Sequence, residues 1–145
     1  MIYGYYISKG VVQLSAAENR ALIQRVYTEG FNQGLLSVVD EMFASHFLDR
    51  STPDQPPGIE GVKAYIRSVR AGFPDIAVTI EDLIATEERV VVRTTWCGTH
   101  LATYENLAPT GKRVMRTMIQ IFRVEDGKLC EEWSEGGDLG QQILA

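Results

Sequence analysis

Apolar residues recur at helical spacing through the first half of this chain and alternate with polar ones through the second half. Leu22, Ile23, Val26, Tyr27 and Phe31 form a wide apolar helix face. Ser15 and Glu18 ahead of that face have the spacing of a capping box, in which each side chain satisfies a free backbone N–H. Asn32, Gln33 and Gly34 stop the helix. Leu35, Val38, Val39 and Met42 predict a second helix over about 35–43, and 46–51 reads as a short strand. Pro53, Pro56, Pro57 and Gly58 then impose a loop. Val62, Tyr65, Ile66 and Val69 define a third amphipathic helix that ends by Gly72 and Pro74.

After Pro74 the period becomes strand-like. Ile76, Val78 and Ile80 alternate with polar residues; strands are predicted over 89–100, 113–124 and 129–135, with a turn-rich connection at 107–111 and a tight turn at 125–128. Helices followed by a run of antiparallel strands predict an α+β fold with the helices on one face of a curved sheet. A strongly curved sheet closed by helices makes a cone whose interior stays open as a pocket.

The 145 residues suit one domain, and a net charge of −5 argues against a nucleic-acid backbone as partner. Domain boundaries fall at 1–14, an N-terminal extension or strand-like arm in which Tyr3, Tyr5 and Ile7 alternate, and 15–145, the domain itself. Cys97 and Cys130 lie in apolar runs without the spacing of a zinc site, as expected of reduced thiols in a cytoplasmic protein. No apolar run reaches membrane-spanning length, so no membrane contact is expected.

Candidate chemistry concentrates near the end of the chain. Asp138 follows Trp133 and two glycines. It reads either as an N-cap of the closing helical turn or as a proton-transfer group at the mouth of an apolar cavity. His100 ends a strand, where it serves either as a proton shuttle or as a strand-closing residue. Gln120 is a polar amide in an apolar strand and needs partners or a polar cavity; Met118 and Phe122 share its face. Tyr27 and Tyr65 read as core residues or as hydroxyl donors to a ligand, and Trp96 and Trp133 as cavity wall or plain packing. Arg123, Glu131 and Glu132 read as cross-strand ion pairs. Nucleotide, zinc-protease and serine-hydrolase motifs are missing from the sequence, which leaves acid–base chemistry without metal or cofactor.

Together these pieces resemble the SnoaL-like polyketide cyclases, or ester cyclases, of the NTF2-like superfamily. The resemblance rests on Phe31-Asn32-Gln33-Gly34, on Gly61 to Ile66, and on Phe73-Pro74-Asp75. It continues through Trp96 to His100, Pro109 to Lys112, Ile121 to Lys128, Glu132-Trp133 and Asp138-Leu139-Gly140. It implies a cone-shaped α+β barrel, commonly a homodimer through its sheet. It also implies an aspartate acting as acid/base in an intramolecular aldol closure, a role that falls on Asp138, and on this reading His100 joins it as a catalytic residue, with His100 or Gln120 holding the developing enolate oxygen. The expected ligand is a small apolar carbonyl compound. The competing expectations are a non-catalytic small-molecule binder, a dimerisation module with a vestigial pocket, and an epoxide hydrolase built on a carboxylate–Arg–carboxylate trio involving Arg93, Arg116 or Arg123.

Overall fold

Strands of alternating pattern, joined in chain order, form the wall on which the helices rest. The structure, a computed structural model, describes residues 6–8 and 11–145. β1 (Tyr6–Ser8) and β2 (Val11–Gln13) pair antiparallel as a short hairpin. Tyr3 and Tyr5 of the expected arm lie outside the described residues.

α1 (Ala16–Arg25) begins at the capping box: Glu18 N donates to Ser15 Oγ at 3.1 Å, and Ser15 N donates to the Glu18 carboxylate at 2.9 Å. The helix then widens into a π-helical segment, Val26–Phe31, which Asn32 closes by donating its N–H to Tyr27 O at 2.9 Å. The long first helix expected from the pattern is therefore present in two geometries. The wider turn is the kind of irregularity that concentrates at functional sites. α2 (Ser37–Met42) follows, then β3 (Phe43–Asp49) and, past the proline loop, α3 (Gly58–Gly72).

The meander consists of β4 (Ala77–Ala85), β5 (Arg89–Thr99), β6 (Arg113–Glu125) and β7 (Lys128–Gly136). The sheet order is β3-β7-β6-β5-β4, antiparallel from β4 to β7, with β3 added parallel to β7. This corrects the expectation of a wholly antiparallel sheet. Alternation fixes which side chains face inward but not strand direction, and the long connection from β3 through α3 and the meander permits a parallel pair. Register shifts after Phe43, Ile80 and Arg123 bend three of the ladders. β3 and β4 remain edges, so the sheet curves without closing into a barrel, and the helices complete the enclosure.

Alternation on β5 and β6 decides what the helices cover. Val90, Val92, Thr94 and Trp96 are buried, as are Val114, Arg116, Gln120, Phe122 and Val124, while Met115, Thr117, Ile119 and Ile121 face outward. Ile23, Tyr27, Ile66, Val69 and Phe73 pack onto the inner face with almost no exposure. Each such side chain contributes roughly 1.5–3 kcal/mol by leaving water. Asn32 ties the end of the first helix to β4: Val78 N donates to its Oδ1 at 2.7 Å, and its Nδ2 donates to Val78 O at 3.0 Å. α4 (Leu139–Leu144) closes the chain. Among the described residues no helix is long and apolar enough to cross a membrane.

Candidate functional site

Inward-facing residues of β6 and β7, the π-helical segment and α3 surround a cavity of about 280 Å³. One wall is aromatic. Phe31 meets Trp96 edge-on with ring centroids 4.7 Å apart, Tyr27 meets Trp96 at 6.1 Å, and Phe31 meets Tyr65 at 6.0 Å. The π-helical turn matters here because Tyr27 and Phe31, four residues apart, both line the cavity.

The opposite wall carries a polar chain. The Tyr27 hydroxyl donates to Gln120 Oε1, and Gln120 Nε2 donates to Glu132 Oε1. Glu132 sits opposite Phe122 on the neighbouring strand and so shares the inward face of Gln120. Its Oε2 makes no hydrogen bond with the described residues and is not sealed from the cavity. Burial, reinforced by the charge of Asp49, pushes the Glu132 carboxyl up to about 8 against the pull of Gln120 and Arg116. This setting favours the protonated form of Glu132 near neutral pH. The Tyr27 and Tyr65 phenols are pushed up by burial and stay neutral.

Arg116 lies across from Trp96 in the β5–β6 ladder, with its guanidinium 4.2 Å above the indole ring. Its Nη2 donates to the Tyr65 hydroxyl at 2.8 Å, and Nη1 reaches Gly137 O at 3.5 Å.

Asp138 caps the closing helix and stands at the cavity rim. Its Oδ1 accepts from Gln141 N at 2.9 Å and caps α4, and the residue is exposed at the cavity lining beside Glu135 and Gly137. Gly136, with φ 146°, makes the bend that brings it there; a Cβ on Gly136 would lie 2.3 Å from Thr117 O. The loop between β5 and β6 supplies Tyr104 and Glu105 to the same rim, Glu105 with φ 47°.

Tyr27, Tyr65, Trp96, Met118, Gln120, Phe122 and Asp138 therefore meet in one cavity. His100 and Trp133 do not line it. His100 is fully buried behind Phe73, with Nδ1 accepting from Thr110 N at 3.2 Å and its backbone joined to Lys112 and Gly111. That latch holds the base of the 101–112 loop and leaves Nε2 without a partner. Trp133 points outward opposite Ile121, with Arg89 5.4 Å from its ring centre. Of the expected ion pairs, Glu131 bonds both Arg123, at 2.6 Å, and Arg50, at 2.7 Å, while Glu132 points into the cavity instead. A signal for Glu132 existed in the pattern: Glu131 and Trp133 share one face of β7, which puts Glu132 and Ser134 on the other. Arg123 pairs outward, and Arg93 bonds Asp82 at 2.7 Å, so neither enters the cavity. Arg116 does, but no carboxylate among the described residues bonds it, so the trio of an epoxide hydrolase is not assembled. A second hollow, about 320 Å³, lies between the β4–β5 and β6–β7 turns and is lined by Leu14 and Val124 as well as by charged residues such as Glu87, Arg89 and Asp126.

A curved five-stranded sheet, covering helices and a cavity lined by β6 and β7 define the NTF2-like class of fold. The sequence profile of the SnoaL-like polyketide cyclases matches residues 21–142, and the chain belongs to that family. TsrD from Streptomyces laurentii is similar in structure, with a TM-score of 0.81 and 26% identity over 90% of this chain and 97% of that one. AclR from Streptomyces galilaeus gives a TM-score of 0.75 and 25% identity over 90% and 95%. IdmH from Streptomyces antibioticus gives 0.69 and 28% over 86% and 94%. Among curated proteins none matches by sequence.

Proposed function

We propose that this protein is an acid–base enzyme of the cyclase type, acting on a small apolar carbonyl compound. The observation that carries the reading is Glu132, an inward-facing acid wired to Gln120 and Tyr27 beside a second carboxyl, Asp138, in one aromatic cavity. Two carboxyls in unlike settings are the usual basis for splitting acid and base duties. Asp138 removes a proton from the carbon next to the substrate carbonyl. The electron pair moves onto the carbonyl oxygen, where the O–H of Glu132 holds the enolate. The enolate carbon then bonds to a second carbonyl carbon, and the new alkoxide recovers the proton from Asp138. The sequence is an isomerisation, balanced without an oxidant or reductant. Gln120 positions Glu132, since its amide oxygen is already engaged by Tyr27.

The test is deuterium exchange next to the carbonyl of 2-tetralone in heavy water, followed by NMR. Wild-type protein is expected to accelerate exchange. Asp138→Asn is expected to slow it by about 100-fold or more, as for loss of a general base. Glu132→Leu, which removes the O–H that holds the enolate, is expected to slow it by roughly 10²-fold, as for loss of an oxyanion donor. Exchange no faster than in buffer, or an Asp138→Asn protein equal to wild type, removes the enzymatic reading and leaves a binding protein.

A further inference from the structure

Among the described residues Arg116 is the only cation lining the cavity, and no carboxylate among them pairs with it. It is 6% exposed, and its Nε is buried without any partner. Its neighbours are one hydroxyl, one distant carbonyl and one indole face. A buried guanidinium without an anion is costly by several kcal/mol, and chains normally place a carboxylate against it. Glu132, in the same wall, bonds Gln120 rather than Arg116, and burial favours its neutral form. The positive charge is left for something that enters.

We infer that the cavity takes a planar carbonyl compound bearing a carboxylate, with the carboxylate seated on Arg116 and the ring against the aromatic wall. The inference rests on the reading of the cavity as a carbonyl site and adds the charge of what it binds. A guanidinium matches a carboxylate with two parallel hydrogen bonds. Tyr65 fixes the plane of the fork through Nη2, and Trp96 fixes it from below. Tyr27, Phe31 and Tyr104 supply flat apolar surface for the remainder.

The acidic groups at the rim oppose an anion only weakly. Glu105, Glu135 and Asp138 are exposed and Asp49 is half-buried, and charges reached by water are screened over about 8 Å at physiological salt. Arg116 acts across a buried contact, where the same charge is worth several times more.

The experiment compares 2-naphthoate with its neutral methyl ester by calorimetry and by tryptophan fluorescence, for which Trp96 under Arg116 is the reporter. Wild-type protein is expected to bind the acid at least tenfold more tightly than the ester. Arg116→Met is expected to abolish that preference while the ester still binds. Arg116→Lys is expected to keep part of it, and Tyr65→Phe to weaken it by releasing the fork. These last two variants carry the test if Arg116→Met does not fold. An ester that binds as tightly as the acid, or a preference that survives in every variant, overturns the inference but leaves the carbonyl site standing. Binding of neither compound overturns both. Displacement of 2-naphthoate by inorganic phosphate at similar concentration overturns it too, since the site would then hold any anion.

Discussion

Glu132 holds a proton in the folded chain that an exposed glutamate would release, and pH reveals it. Its ordinary value is 4.5 and its folded value about 8, so between these the folded chain holds a proton that the unfolded chain has released. Stability therefore falls as pH rises through that window, by up to about 1.4 kcal/mol per pH unit, and levels off above it. Glu132→Gln is expected to flatten this slope and to be more stable than wild type at pH 9, as measured by urea unfolding at a series of pH values. A wild-type curve without the slope would place the carboxyl in solvent. At this scale the sequence was legible wherever a side chain follows alternation. Gln120, Met118 and Phe122 share one inward face as the pattern says. Glu132 was masked by its neighbour Glu131 and by Arg123, whose charges suggest a surface pair; charge type alone does not reveal which of two adjacent acids points inward. His100 was misleading for the opposite reason. Its chemistry suits proton transfer, but its place depends on the loop that folds back to give Thr110 to its ring.

Elements were easier to read than their irregularities. The capping box, the third helix and the three long strands were legible because each repeats its period several times. The π-helical turn was not, since its residues keep an apolar face in either geometry. Nor was the role of Gly136, because a glycine near a strand end usually signals only a turn. In the structure it is the joint between β7 and α4 that delivers Asp138 to the cavity rim. Gly136→Ala forces a side chain into a positive φ and against Thr117 O. The expected cost is about 2 kcal/mol or more, a strained backbone plus a steric contact. Thermal unfolding measures it, and 2-tetralone exchange should fall more than the lost stability explains, because Asp138 moves with the joint. Equal losses would make the joint merely structural.

For the molecule as a whole, the class of fold was legible from helices followed by strands, but closure was not. Nothing in alternation distinguishes a curved sheet with free edges from a barrel. The outer sheet face displays Ile84, Met115, Ile119 and Ile121, at 66%, 59%, 51% and 36% exposure, without a covering layer among the described residues. Large continuous apolar surface is uncommon on a monomer, which supports the proposal of a homodimer formed through this face. Ile119→Glu is expected to yield a folded monomer in sedimentation velocity, whereas a wild-type protein already monomeric would dismiss the dimer.

The parallel seam between β3 and β7 has a consequence for how the chain folds. Ser134 N donates to Ser51 Oγ across 83 residues, and Arg50 reaches Glu131 across 81. Contacts of such span close large loops and form late. Until they form, Glu132 stands in water with the acidity of a free side chain. The cavity and its buried proton are therefore expected to arrive together, once β3 has paired with β7.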